Sequence, residues 1–326
     1  MLVHASVRQQ AARDGGGNPH FVPMLAALQP HLDAADLAVC HLETPLAPHG
    51  GPYSGYPVFS APPEVAAALA AVGYDACSTA SNHSLDQGIA GVSRTLEALD
   101  GAGVRHVGTA RSEAEAATPT VLEVAGVHVG LLSYTYGFNG FQLPASAPFA
   151  ANLLRPGDVV AAALRARASG AEVVVASLHW GTEYRADPDP EQLAAADEIA
   201  RSGAVDLILG HHAHVVQPID VLHGTWVAYG LGNSLVSPQH DFAGGATREG
   251  LLARFTLTEA PTGFEVTEVR LVPTYVSASP VRVVDVTAQQ AVDPRLVQAA
   301  TRTEQVARRL LDPAEAAVVV PVQPTG

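Results

Sequence analysis

Apolar positions along this chain follow two patterns. Short unbroken apolar blocks bounded by glycine, proline or polar residues predict buried strands within Leu32–Leu42 (around Ala38-Val39-Cys40), Tyr74–Thr79, Val104–Val107, Glu172–Leu178, Val205–Leu209 and Thr225–Tyr229. Apolar residues recurring every three or four positions predict helices. Pro63–Val72 has proline at its start, Glu64 in its first turn and Gly73 beyond its end. Ile89–Asp100 places Val92, Leu96 and Leu99 on one face, and Val159–Ala168, Pro190–Ser202 and Pro294–Leu311 read the same way. Val121–Tyr134 predicts strand broken by a turn at Ala125-Gly126, and Leu251–Thr258 with Gly263–Val272 predicts a hairpin. Pro48–Pro63 and Gly137–Pro148 read as loops, and the tail from Pro313 as loose. This mixed order, with some strands adjacent, predicts α/β layers around central sheets. The expected division is one domain over residues 1–284 and a C-terminal helical extension and tail over residues 285–326.

Composition narrows the picture. The 326 residues suffice for one large domain or two ordinary ones, and 48% hydrophobic against 15% charged residues exclude disorder as the default. The basic residues are all arginine, which with the heavy use of alanine points to a coding bias and not to a mechanism. A net charge of −14 makes the chain a poor non-specific partner for nucleic acid or an anionic membrane. An anionic substrate stays open, because bound cations reverse the local field. Cys40 and Cys77 lie in apolar strand-like runs and are expected to be buried free thiols. No window approaches the ~18–20 apolar residues of a membrane span, and Met1–Asp14 shows no signal-peptide pattern.

The candidate chemistry sits where the predicted strands end. Gly210-His211-His212-Ala213-His214-Val215 follows one apolar block directly. Other blocks deliver Glu43, then Asn82-His83, then His179, and finally Gly232-Asn233. Singly, each has an ordinary explanation: a turn residue, a helix cap, a solvated or a satisfied histidine. Together they occupy one kind of position, and ligands of open α/β sheets bind outside the carboxyl ends of strands. One carboxylate, one amide and several imidazoles suit a hydrolytic site of two divalent ions, with Mn, Zn or Fe favoured over Ca or Mg.

Five ordered strings carry a resemblance: His41-Leu42-Glu43-Thr44-Pro45-Leu46, Ser81-Asn82-His83-Ser84-Leu85-Asp86-Gln87-Gly88, Leu178-His179-Trp180-Gly181-Thr182-Glu183-Tyr184, Gly210-His211-His212-Ala213-His214-Val215-Val216-Gln217-Pro218 and Tyr229-Gly230-Leu231-Gly232-Asn233. Over roughly residues 1–245 the chain resembles the CapA-type capsule-synthesis family, associated with poly-γ-glutamate capsule production and related to the calcineurin-like metallophosphoesterases. The resemblance implies a four-layer α/β-β/α sandwich with a binuclear metal site. It makes Glu43 the bridging carboxylate, and Asn82, His179 and His212 ligands of one metal. His214 becomes a ligand of the other, and His83 the histidine at the scissile phosphate or leaving group. His211 is an extra imidazole and the alternative member of the pairing. Asp86 and Glu183 are candidates for orienting ligands, Arg185 (with Trp180 and Tyr184) for contacting substrate, and Asn233 for either task.

The family opens with a strand ending in Gly-Asp, whose aspartate is a metal ligand. This chain begins Met1-Leu2-Val3-His4, so that aspartate is expected immediately before Met1. Asp14 lies too far along to replace it, and His4 is not that ligand. Missing targeting signals therefore carry no information on compartment, and members of the family are often exported or membrane-anchored. The implied partners are an anionic polymer or phosphoester substrate and other capsule-synthesis proteins. The implied activity is metal-assisted hydrolysis of a phosphoester or related bond; the alternative is a non-catalytic polymer-handling or structural role in a capsule assembly.

Overall fold

A computed structural model describes residues 1–239, 241–261, 263–289 and 293–320. Three short strands, β1 (Val39–His41), β2 (Ala76–Ser78) and β3 (Arg105–Val107), form a parallel sheet in that order. The large sheet contains β4 (Thr120–Val124), β5 (Val127–Thr135), β6 (Val173–His179), β7 (Leu207–His211), β8 (Ile219–Leu222) and β9 (Thr225–Ala228), in the order β4-β5-β6-β7-β9-β8. Its middle strands β5, β6, β7 and β9 are parallel, and β4 and β8 close its two edges antiparallel. A third sheet is the long hairpin β10 (Glu249–Ala260) and β11 (Gly263–Ala278), with β12 (Val281–Asp285) antiparallel and β13 (Val319–Val320) parallel on the far side of β11.

Side-chain alternation along β6 shows how the layers assemble. Val173 and Val175 point into a core shared with Ala76, Leu251, Val269 and Leu271 of the other two sheets. Val174 and Ala176 point the opposite way, to the helices Pro156–Ala168 and Pro190–Arg201. A parallel strand buried on both faces must be apolar throughout, which is why Glu172–Leu178 shows no alternation in sequence. On the other side, the helices Ala5–Asp14 and Glu64–Ala71 and the turns of Val22–Leu32 pack on Cys40, Cys77, Val276, Val281 and Val283. The order helix, sheets, sheet, helix is an α/β sandwich of four layers. Among the described residues no helix is long and apolar enough to cross a membrane.

Two expectations are corrected. Cys40 and Cys77 are bonded to each other, not free. They are register partners on neighbouring parallel strands, with Cα atoms 4.4 Å apart, within bridging reach. The segment after Pro313 is not loose as far as it is described: Pro313–Val318 is a helix opened by an Asp312–Glu315 capping box, and β13 then pairs with β11. The rest of that tail, residues 321–326, lies outside the described residues. The helix Ala5–Asp14 had no clear sequence signal, because only Val7, Gln10 and Ala11 of its ten residues are buried.

Candidate metal centre

Four strands end at one edge of the two facing sheets, and their last residues are His41, Ser78, His179 and His211. Parallel register sets Thr135 of β5 beside His179 of β6, and His179 beside His211 of β7. The turns beyond these ends carry Glu43, Asn82 and His83 from the small sheet, and His212 and His214 from the large one. Gly210 lets β7 close on its neighbour: a Cβ there would meet the Tyr229 carbonyl oxygen at 1.9 Å. His212 and His214 then take left-handed backbone angles, φ 90° and 57°, which fold both imidazoles back over the strand ends.

Glu43 is buried, and its Oε1 lies 3.8 Å from His179 Nε2 and 3.9 Å from His214 Nε2 without a hydrogen-bond partner. Asn82 Oδ1 is 3.0 Å from the same His179 nitrogen. His212 Nδ1 is likewise buried and unpartnered. Ligand atoms of Glu43, His179 and His212 all lie within 4.8 Å of one another, as do those of Glu183, His212 and His214. Two donors held by one ion at ~2.1 Å each sit no more than about 4.2 Å apart. The separations of 3.8 and 3.9 Å around Glu43 fall within that limit, and the buried oxygen and nitrogen without hydrogen-bond partners are consistent with it. The residues fit a metal centre.

Burial lowers the His179 pKa well below its usual range, and neighbouring imidazoles lower it further; His41 behaves in the same way. Burial pushes His211 and His212 down to about 3. All four are neutral at pH 7, the state in which a ring nitrogen can donate to a metal. His83 differs. Burial lowers its pKa, but the hydrogen bond from its Nδ1 to Asp86 Oδ2 (2.8 Å), then the charges of Glu43, Asp86 and Glu183, raise it overall. Asp86 is anchored in turn by the Phe59 amide at 2.7 Å.

Residues not singled out in the sequence form a buried chain beneath the centre. His41 Nε2 is 3.0 Å from His179 Nδ1, and His41 Nδ1 is 2.8 Å from Ser78 Oγ. Ser177 Oγ donates to Ser78 Oγ at 2.7 Å and lies 3.0 Å from His211 Nε2. The period of two was their signal: His41 precedes Glu43, and Ser177 precedes His179, by two positions. His211 is thus engaged inside this chain, its ring stacked on His41 at 4.1 Å. Asn233 holds His214, its Oδ1 being 3.0 Å from His214 Nδ1. Arg185 is exposed, and its carbonyl accepts from Gln217 Nε2 at 2.9 Å. The Tyr136 ring lies against His212 with centroids 4.6 Å apart. Met1 runs beside β1, where its carbonyl accepts from the Glu43 amide at 3.3 Å.

The profile of the family described as "Bacterial capsule synthesis protein PGA_cap" matches residues 1–238 of this chain, the span that contains the four strand ends that meet at this centre. The chain belongs to the PGA_cap family. Among PGA_cap relatives, it is 32% identical over 194 residues to the PGA biosynthesis protein CapA of Bacillus subtilis, covering 59% of this chain and 49% of that one. It is 32% identical over 178 residues to the capsule biosynthesis protein CapA of Bacillus anthracis, covering 53% and 43%. This PGA_cap chain thus spans about half the length of the curated relatives it matches. Solved structures that resemble it include the Haemophilus influenzae NAD nucleotidase NadN (TM-score 0.47, 11% identity, 86% of this chain and 56% of that one). Another is the calcineurin-like phosphoesterase YfkN of Bacillus subtilis (TM-score 0.43, 15% identity, 74% and 73%).

Proposed function

We propose that this PGA_cap protein is a metal-dependent hydrolase of phosphoesters or a closely related bond, working in the production of an anionic polymer such as poly-γ-glutamate. The observation that carries the reading is Glu43 Oε1, buried and unpartnered between His179 and His214. Glu43, Asn82, His179 and His212 would hold one divalent ion, and His214 with the shared Glu43 a second. Two such ions supply a water activated at neutral pH and neutralise charge on the transition state. The chain's own part is to place them and to manage the leaving-group proton. His83, kept protonated to higher pH by Asp86, is suited to deliver that proton. Asp86 fixes the ring so that Nδ1 is committed and Nε2 is the donating atom. A purely structural role would not require a buried His83–Asp86 pair beside the unpartnered carboxylate.

The test is hydrolysis of a chromogenic phosphomonoester and phosphodiester by chelator-treated protein reloaded with Mn or Zn. Activity is expected with one ester class, and His83→Gln should lower kcat by on the order of 10²-fold with metal content unchanged. Fully metal-loaded protein inert toward both esters would overturn the reading.

A further inference from the structure

We infer that Glu183 is a metal ligand, supplying a carboxylate to the second ion at the mouth of the centre; this rests on the two-ion reading above. His212 belongs to both groups of converging donors, Glu43–His179–His212 and Glu183–His212–His214. Among the described residues Glu183 is the further carboxylate whose oxygen converges with both His212 and His214, the three ligand atoms lying within 4.8 Å of one another.

The backbone puts Glu183 there deliberately. It stands in the turn after β6, between Gly181 (φ 83°) and Tyr184 (φ 64°). The Tyr184 amide donates to the Ala213 carbonyl at 2.7 Å, which ties the turn carrying Glu183 to the turn carrying His212 and His214. Thr182 Oγ1 donates to Asp189 Oδ2 at 2.9 Å, and the Tyr184 ring lies over His214 with centroids 6.0 Å apart. The imidazole opposite is also prepared. Asn233 Oδ1 can only accept, so His214 Nδ1 carries the proton and Nε2 presents its lone pair. His212 Nδ1, in a residue more than nine-tenths buried, has no hydrogen-bond partner.

Burial separates the two ions in character. Glu43, Asn82, His179 and His212 are all buried, whereas Glu183 is exposed. The inner ion is bound by fixed groups, and the outer one depends on a rim carboxylate that exchanges with solvent. Two carboxylates against two dications leave net positive charge at the mouth of an otherwise acidic protein, which suits an anionic substrate.

Titration of the chelator-treated full chain with Mn(II), followed by calorimetry and by the electron paramagnetic resonance of the bound ions, tests this. The wild type is expected to bind two ions with a spin-coupled spectrum. Glu183→Gln should keep the inner ion at an affinity within a few-fold of wild type. It should weaken the outer one by on the order of 100-fold and give the spectrum of an isolated ion. Glu183→Asp should restore part of the loss, and thermal melts confirm that each variant folds. Wild-type stoichiometry and coupling in Glu183→Gln overturns the inference whatever the esters show. Lack of ester hydrolysis alongside an outer ion lost in Glu183→Gln removes the hydrolase reading and leaves Glu183 as a ligand.

Discussion

At His212 and His214 the chain accepts backbone angles that cost a non-glycine residue about 1–3 kcal/mol each. Such strain persists where the surroundings over-determine it, and here it turns two imidazoles toward one carboxylate. His211 shows the contrast: it ends β7 with ordinary strand geometry, and its Nε2 is taken up by Ser177. His212→Ala should therefore deplete metal after dialysis, while His211→Ala should leave content near wild type and lower stability by about 1–3 kcal/mol through the partner it strands. Elemental analysis beside denaturant melts reads both, and the opposite pattern would move the ligand role to His211. Strand-end positions such as Glu43, His179 and His212 were legible because each stands at or just past the end of an apolar block. His41, Ser78 and Ser177 were harder to read: the period of two links His41 to Glu43 and Ser177 to His179, but polar residues inside an otherwise buried run look like interruptions until their partners are in view.

Two of the four strands that end at the centre, β1 and β2, are only three residues long, yet they carry Glu43 and Asn82 on their extensions. The Cys40–Cys77 bridge closes a separation of 37 residues between them. Cys77→Ala should cost about 2–4 kcal/mol in non-reducing denaturant melts, and reductant should bring the wild type down toward the variant. A wild-type midpoint indifferent to reductant, once reduction is verified by mass, would show that the bridge contributes nothing. An apolar setting looks the same around a thiol and a half-cystine, so the pairing was invisible without the register of two parallel strands. A second tie joins β12 to the turn Gln29–Leu32. Burial would raise the Asp285 carboxyl, but hydrogen bonds from His31 (2.8 Å) and Thr287 (2.6 and 2.8 Å) outweigh it and hold it below the ordinary 3.8. A carboxyl depressed by folding stabilises fully above its unfolded value and loses that contribution as pH falls through the folded one. Asp285→Ala should cost about 1.5–3 kcal/mol at pH 7, and urea melts should show the gap to wild type closing below pH 3.8.

For the molecule as a whole, the proposed ligands come from two different sheets: Glu43 and Asn82 from one, His179, His212 and His214 from the other. An ion held among them bridges the two inner layers. Stability should rise with free metal, by about 2.7 kcal/mol at a hundredfold excess over the dissociation constant. A melting temperature flat across a Mn titration would refute that coupling. The layered architecture was readable because its central strands are continuous apolar runs. The edge strands β8, β12 and β13 were not, since half-buried short segments carry little pattern. The last of these has a consequence for how the chain is made. β12 covers β11 only from Thr274 to Ala278, and β13 covers Val269–Arg270 farther along the same side. During synthesis those two residues emerge some fifty positions ahead of Val319–Val320. Throughout that interval part of β11 offers an open strand edge to any neighbouring nascent chain.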